Sequence, residues 1–318
     1  MVCHEAGHNN ISSTTWINHT VGFIAHSMIF LPYFSFKITH LRHHKTTSHL
    51  DKEEVYVPYL RSDFPLPSAQ EATPKDYMDV FEETPIVTLC LRESILHALT
   101  LALTYAFRLL DTYLTWNTMG SKRYPIGSNH WNPKSGLFTN EEYAQVMISN
   151  IGMMAMVALL YLTARLSSVS VVVVHYFVPF VLTNHWVVAM TFLQHSCSTV
   201  PYYRGEAWSR TKGALSTVDR PFLGYVGKFI LLGVNHYHTT HHLFASIPFY
   251  NLPMAHAAIR PLLGDMYNYD STGVFRALWR SFNECIFVES EGAIVFFKDT
   301  QGNAKRNVKV LGGDPSRA

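Results

Sequence analysis

Three short histidine-rich segments hold the residues with the most chemistry in them: His4-Glu5-Ala6-Gly7-His8, His40-Leu41-Arg42-His43-His44 and His238-Thr239-Thr240-His241-His242. On a helix, residues four apart share a face and residues three apart nearly do. The first segment therefore aims two imidazoles one way, and each of the others aims three. Eight neutral imidazoles held like this make a ligand set for iron, zinc or copper. With 18 histidines in 318 residues, one HxxHH arises by chance roughly 0.06 times per chain. Two such segments by chance are far rarer, so solvated or capping histidines are a poor explanation.

Two chemistries compete for these residues. The first segment satisfies HExxH, in which two histidines bind zinc and the glutamate acts as a base. That reading needs one ion and one further ligand, and it leaves both HxxHH segments without a purpose. Gly7 also weakens a helix interior. The preferred reading is a two-metal site. Eight or nine imidazoles exceed the four to six positions of one ion. Shared between two ions, they leave positions open for dioxygen. Iron has the redox chemistry for this and zinc has none. A histidine-rich di-iron centre at a membrane surface suits oxidation of an inert C–H bond in a lipid chain.

The elements that must position such a site are apolar. Charged residues make up 15% of the chain, against roughly 25% in ordinary soluble domains. Aromatic residues make up 14% and the formal net charge is +2, so no nucleic-acid footprint is present. Cys3, Cys90, Cys197 and Cys285 show no CxxC spacing and read as incidental thiols. Residues 143–166 and 169–193 are each long and apolar enough to cross a bilayer. Only Arg165-Leu166-Ser167-Ser168 separates them, so they should form an antiparallel transmembrane hairpin over about 143–193. If the three segments share one centre, an even number of crossings separates the second from the third. The apolar stretches 16–36 and 95–116 should then lie along the interface or re-enter. The proline-rich segment 58–85 reads as an irregular surface loop, and 301–318 as a loose polar tail.

Beyond the histidines, matches run through Thr20–Ser27, Leu31–Ser35, Glu54–Pro58, Phe192–His195, Gly213–Arg220, His241–Phe244, Ile259–Gly264 and Glu284–Glu289. Through them the chain resembles the integral-membrane histidine-box fatty acid desaturases, and within these the fungal and plant Δ12 (oleate) type. The resemblance implies an all-α integral membrane fold with a histidine-lined di-iron cap at the cytosolic face. It implies a desaturase domain over 1–297 and a polar tail over 298–318. It assigns His4, His8, His40, His43, His44, His238, His241 and His242 as iron ligands, with His195 as a ninth. Glu5 and Asp219 are expected as carboxylates that orient ligating imidazoles. The other nine histidines, including His236 beside the third segment, are not assigned to metal.

The implied reaction is dioxygen-dependent removal of two hydrogens from an acyl chain such as oleoyl in a membrane lipid. Two iron ions are the implied cofactor. Cytochrome b5 and its reductase are the implied electron donors, and the endoplasmic reticulum membrane the implied location. Homo- or hetero-oligomers with other desaturases fit the family as well. Ala6, Pro221, Thr239 and Thr240 depart from the commoner residues of the family. The product therefore stays open between an olefin, a conjugated diene and an alkyne. Relatives carry a further transmembrane hairpin before the first histidine segment. The expectation is of an N-terminally truncated chain, with an inactive paralogue as an alternative.

Overall fold

The computed structural model describes residues 1–82 and 113–307. The stretch expected at 95–116 lies outside the described residues, apart from a helical turn at 113–116. The chain opens with three helices, α1 (Val2–Gly7), α2 (Thr15–Ser27) and α3 (Tyr33–Thr46). The first two histidine segments lie at α1 and at the end of α3. The fully buried Asn18 holds the α1–α2 link. Its Oδ1 accepts from the N–H groups of Ile11 and Ser12, both at 3.0 Å. Its Nδ2 donates to Ser12 O at 2.7 Å. Pro32 stands at the start of α3, where a missing N–H costs nothing. At 13 residues, α2 spans about 20 Å, too short to cross about 30 Å of hydrocarbon.

Residues 58–82 carry more order than the prolines predict. A short helix, α4 (Pro74–Glu82), follows a 3-10 turn at Arg61–Asp63. Pro74 pre-sets the first helical φ, and Asp76 accepts from both the N–H and the hydroxyl of Thr73 at 2.7 Å.

Two long helices follow, α5 (Tyr143–Leu166) and α6 (Val169–His195). With its leading turn from Asn140, the first is 27 residues long, and so is the second. At 1.5 Å per residue each measures about 40 Å. The helix runs on through Arg165 and Leu166, so the link shortens to Ser167-Ser168, where the Ser168 hydroxyl caps α6 by accepting from Val171 N–H. Inside α6 a π-helical turn occupies Val173–Phe177. Pro179 follows it and has no N–H for the carbonyl four residues back, a standard cause of such a turn. Two glycines let helices meet. A Cβ at Gly22 would lie 2.2 Å from the Tyr33 ring, and one at Gly152 would lie 2.3 Å from Ser27 Oγ.

The remainder forms the polar portion, with α7 (Arg210–Leu215), α8 (Gly224–Ile230), α9 (His238–Leu243), α10 (Leu252–Leu263) and α11 (Val274–Glu284). The expected all-helical architecture needs one amendment. An antiparallel pair, β1 (Tyr202–Tyr203) and β2 (Ile294–Val295), adds a small ribbon. It packs into a core with Leu50, Tyr56, Val288 and Phe297. The C-terminal segment is also less loose than its composition implies. Residues 298–307 fold back, with Lys298 bridging Phe287 and Ala304 and the Asp299 carboxylate accepting from the N–H groups of Gln301 and Asn303. Residues 308–318 lie outside the described residues.

Candidate metal centre

The three histidine segments converge at the open end of the α5–α6 pair, opposite the Ser167-Ser168 turn. Arg42 on α3 fixes this placement. Its guanidinium donates to both carboxylate oxygens of Glu142 at the foot of α5, at 2.8 and 2.7 Å, and to Leu137 O. His195, the last residue of α6, enters the same space.

The imidazoles sort into two groups. His4, His8, His40, His44 and His241 each bring one nitrogen within 4.8 Å of all the others. His43, His195 and His242 do the same, and His238 joins them with its Nε2 3.2 Å from His195 Nε2. Every histidine selected from the sequence is thus in one group or the other. The groups touch where His44 stacks on His242 at a centroid distance of 4.2 Å.

Within the first group, His40 Nε2 lies 3.0 Å from His8 Nε2 and 3.1 Å from His44 Nε2. A neutral ring carries a single N–H, so imidazoles crowded like this satisfy one another only in part. Among the described residues, His241 has no partner at either ring nitrogen, and His242 Nε2 and the Nδ1 atoms of His4, His44 and His238 are also buried without one. Buried polar atoms left like this cost about 1–3 kcal/mol each. Ions about 2.1 Å from each nitrogen would separate neighbouring ligand atoms by about 3 Å, which is the spacing seen. The residues therefore fit metal, and the arrangement is two histidine-rich clusters able to hold it. Burial, and then the neighbouring imidazoles, hold His8, His40, His44, His241 and His242 well below the ordinary histidine range. That keeps them in the neutral, ligating form.

The carboxylates play different parts. Glu5 is fully buried. Its Oε2 accepts from Phe249 N–H at 3.0 Å, while Oε1 lies 3.5 Å from His4 Nδ1. It faces protein on both sides, and His4 and His8 belong to a group of five imidazoles where a zinc peptidase would have three ligands and a water. Asp219 touches no imidazole of the three segments directly. It accepts from Thr239 N–H at 2.7 Å and from the Tyr267 hydroxyl at 2.8 Å, so it anchors the backbone of α9.

Sequence reasoning missed Glu53. Its Oε1 lies 2.5 Å from His43 Nδ1, and its carboxylate also accepts from the N–H groups of Ser48, Glu54 and Val55. Thr47 was missed too, with its hydroxyl 3.1 Å from His242 Nδ1. The available signal was an acidic pair ten residues after His43, but in the run Asp51-Lys52-Glu53-Glu54 it looks like a solvated surface.

Comparison with known proteins agrees with this geometry. Residues 1–273 match the profile of the family described as fatty acid desaturase. The chain is 39% identical over 307 residues to a Delta(12) fatty acid desaturase of Mortierella isabellina, covering 94% of this chain and 73% of that protein. It is 35% identical over 302 residues to a bifunctional fatty acid conjugase/Delta(12)-oleate desaturase of Punica granatum, with 94% and 70% covered. An omega-6 fatty acid desaturase, endoplasmic reticulum, of Brassica juncea is 33% identical over 293 residues, with 92% and 70% covered.

Proposed function

Because the chain belongs to the fatty acid desaturase family, we propose that it is an oxidoreductase that introduces a Δ12 double bond into a membrane-lipid acyl chain such as oleoyl. The supporting observation is the convergence of all three histidine segments and His195 into two adjoining clusters at one end of two membrane-length helices. Iron bound there would supply the dioxygen chemistry needed to break an unactivated C–H bond. His4, His8, His40, His44 and His241 would hold one ion, and His43, His195, His238 and His242 the other. Glu53 and Thr47 would set the orientation of His43 and His242, and Asp219 the position of α9. The buried surroundings of His43, His195, His238 and His242 keep bulk water from the second cluster.

Lipid-facing surfaces support a membrane setting. Ile151, Met154, Leu159 and Leu162 on α5 are exposed, as are Val174, Val178 and Leu182 on α6. In this proposal the hairpin spans the endoplasmic reticulum membrane, the clusters face the cytosol, and cytochrome b5 with its reductase supplies electrons. Fatty-acid profiling of a yeast that makes oleate but no linoleate tests the activity. Linoleate should form when the chain is expressed, and an unchanged profile despite iron-loaded protein would contradict the proposal.

A second product class has a specific observation behind it. The buried Thr240 hydroxyl, between two histidines of the third segment, sits 2.9 Å from His256 Nδ1. This contact holds the third segment against α10, beside the candidate ligands that would set the point of attack. Conjugated dienes in the same profile would favour a conjugase.

A further inference from the structure

The third histidine segment has two residues that are not candidate ligands, Thr239 and Thr240, and both are fully buried on α9. Their contacts run to protein and not to the clusters. α9 depends on such contacts. It is six residues long, and a helix that short has little stability of its own. Yet it carries candidate ligands of both clusters, His241 of the first and His238 and His242 of the second. Tyr237, just before it, supplies no side-chain cap. Two side contacts hold it instead. At Thr239, Asp219 Oδ1 accepts the N–H at 2.7 Å, and the hydroxyl lies 3.3 Å from that of Thr217. At Thr240, the hydroxyl lies 2.9 Å from Nδ1 of His256 on α10.

The His256 ring is itself held in place. The rings of Tyr237 and Tyr267 pack against it, with centroids 5.1 and 5.5 Å away. Its Nδ1 lies 3.8 Å from Asp219 Oδ2, the oxygen that accepts from the Tyr267 hydroxyl at 2.8 Å. Arg260, one turn further along α10, stacks on Tyr267 at 4.1 Å. His256 and Asp219 thus reach α9 from different elements, and Tyr267 ties them together.

We propose that His256 is a positioning residue for the metal centre: through the Thr240 hydroxyl it fixes the rotation of α9, and with it the His238, His241 and His242 rings. The proposal rests on the two-metal reading above and deepens it. Ligand sets of this kind must be held within about 0.5 Å of their working geometry. A six-residue helix held at Thr239 alone is free to pivot about that point, and the Thr240 contact removes the freedom. Because α9 serves both clusters, this brace acts on both ions. Glu53 acts through His43 on the second cluster alone.

The test is cobalt(II) titration of the detergent-solubilised full chain, read by the visible ligand-field bands of the bound ions. His256→Ala should raise Kd for both ions about tenfold and shift their bands, whereas Glu53→Gln should weaken only one. His256→Asn, whose side-chain amide reaches the Nδ1 position, should restore most of the affinity and the bands, a rescue that ring packing by itself would not give. Thr240→Val removes the same contact from the other side and nearly keeps the shape, so it carries the test if His256→Ala fails to fold. The double variant should be no worse than either single one. Unchanged Kd and bands in the single variants, or losses that simply add in the double one, would overturn the proposal. An unaltered chain that took up no cobalt would count against the two-metal reading instead. The His256–Thr240 coupling is then read from the thermal midpoints of the metal-free variants, where additive losses would still overturn the brace.

Discussion

Among the described residues, neither ring nitrogen of His241 has a hydrogen-bond partner, although the side chain is fully buried. Metal explains that position and little else does. Replacing His241 with Ala should remove most of the iron of the first cluster and abolish product, read by metal analysis and fatty-acid profiling together. Unchanged iron would refute its ligand role. Glu53 acts one step further out, through His43 Nδ1. Glu53→Gln keeps the shape but removes the charge that fixes the ring. Its metal affinity should fall about 10–100-fold, the usual effect of losing such a partner, and an unaltered affinity would show the contact to be incidental. The ligands were legible because their spacing repeats. Glu53 was not, because its meaning depends on the chain turning back at His49, where Glu53 N–H reaches the His49 carbonyl. No local pattern announces that turn.

Burial makes the metal-free protein acid-sensitive. Burial pushes His26 down to about 3 and His130 down to about 4. A histidine whose folded pKa is depressed costs nothing above its unfolded value near 6.5. Below that, the unfolded state binds the proton first, so stability falls with pH until the folded pKa is reached. Each such group contributes up to about 1.4 kcal/mol per pH unit. Asp219, raised by burial to about 6, acts in the opposite sense between its ordinary value and 6. Glu54, also raised by burial, acts with it, but against them stand the lowered histidines, His19, His26, His49, His130, His236 and His256 outside the clusters and the buried ones within them. The thermal midpoint of the metal-free chain should be level from pH 8 to 7 and fall steadily between about 6.5 and 4. A midpoint that rose over that window would contradict this assignment.

At the scale of elements, the site depends on how closely α2 and α3 pack against α5. Gly152 is the sharpest test. Alanine in a helix interior is ordinarily about 1 kcal/mol better than glycine. Here its Cβ would lie 2.3 Å from Ser27 Oγ and 2.7 Å from the Phe23 ring. Overpacking of that kind costs about 1–3 kcal/mol, so the clash outweighs the propensity. Gly152→Ala should lower the thermal midpoint, and a raised midpoint would show that the helices can part without penalty. The apolar runs of α5 and α6 were readable from composition alone. The helix at Pro74–Glu82 was not, because five prolines between 58 and 85 obscured a Thr73–Asp76 cap. The fold-back of residues 298–307 was hidden for a different reason. It rests on backbone pairing and a turn at Gly302, with little apolar burial to mark it.

For the whole molecule, the placement of the clusters at the end opposite the Ser167-Ser168 turn carries a topological claim. Single cysteines at Lys45 and at Ser168 should react with impermeant thiol reagents from opposite sides of sealed microsomes, Lys45→Cys from the cytosolic side. Labelling of both from one side would sink the spanning hairpin. This arrangement was accessible from sequence only through chemistry, since hydropathy by itself counts four apolar stretches, whereas one metal site requires an even number of crossings between its second and third segments, which the α5–α6 hairpin supplies. The metal content of the purified, reconstituted chain is the most direct test of the two-cluster site. About two iron ions per chain are expected, with a loss of about one when His241 in the first cluster or His242 in the second is changed singly to Ala. A single zinc ion, or no bound metal in an intact folded chain, would contradict it.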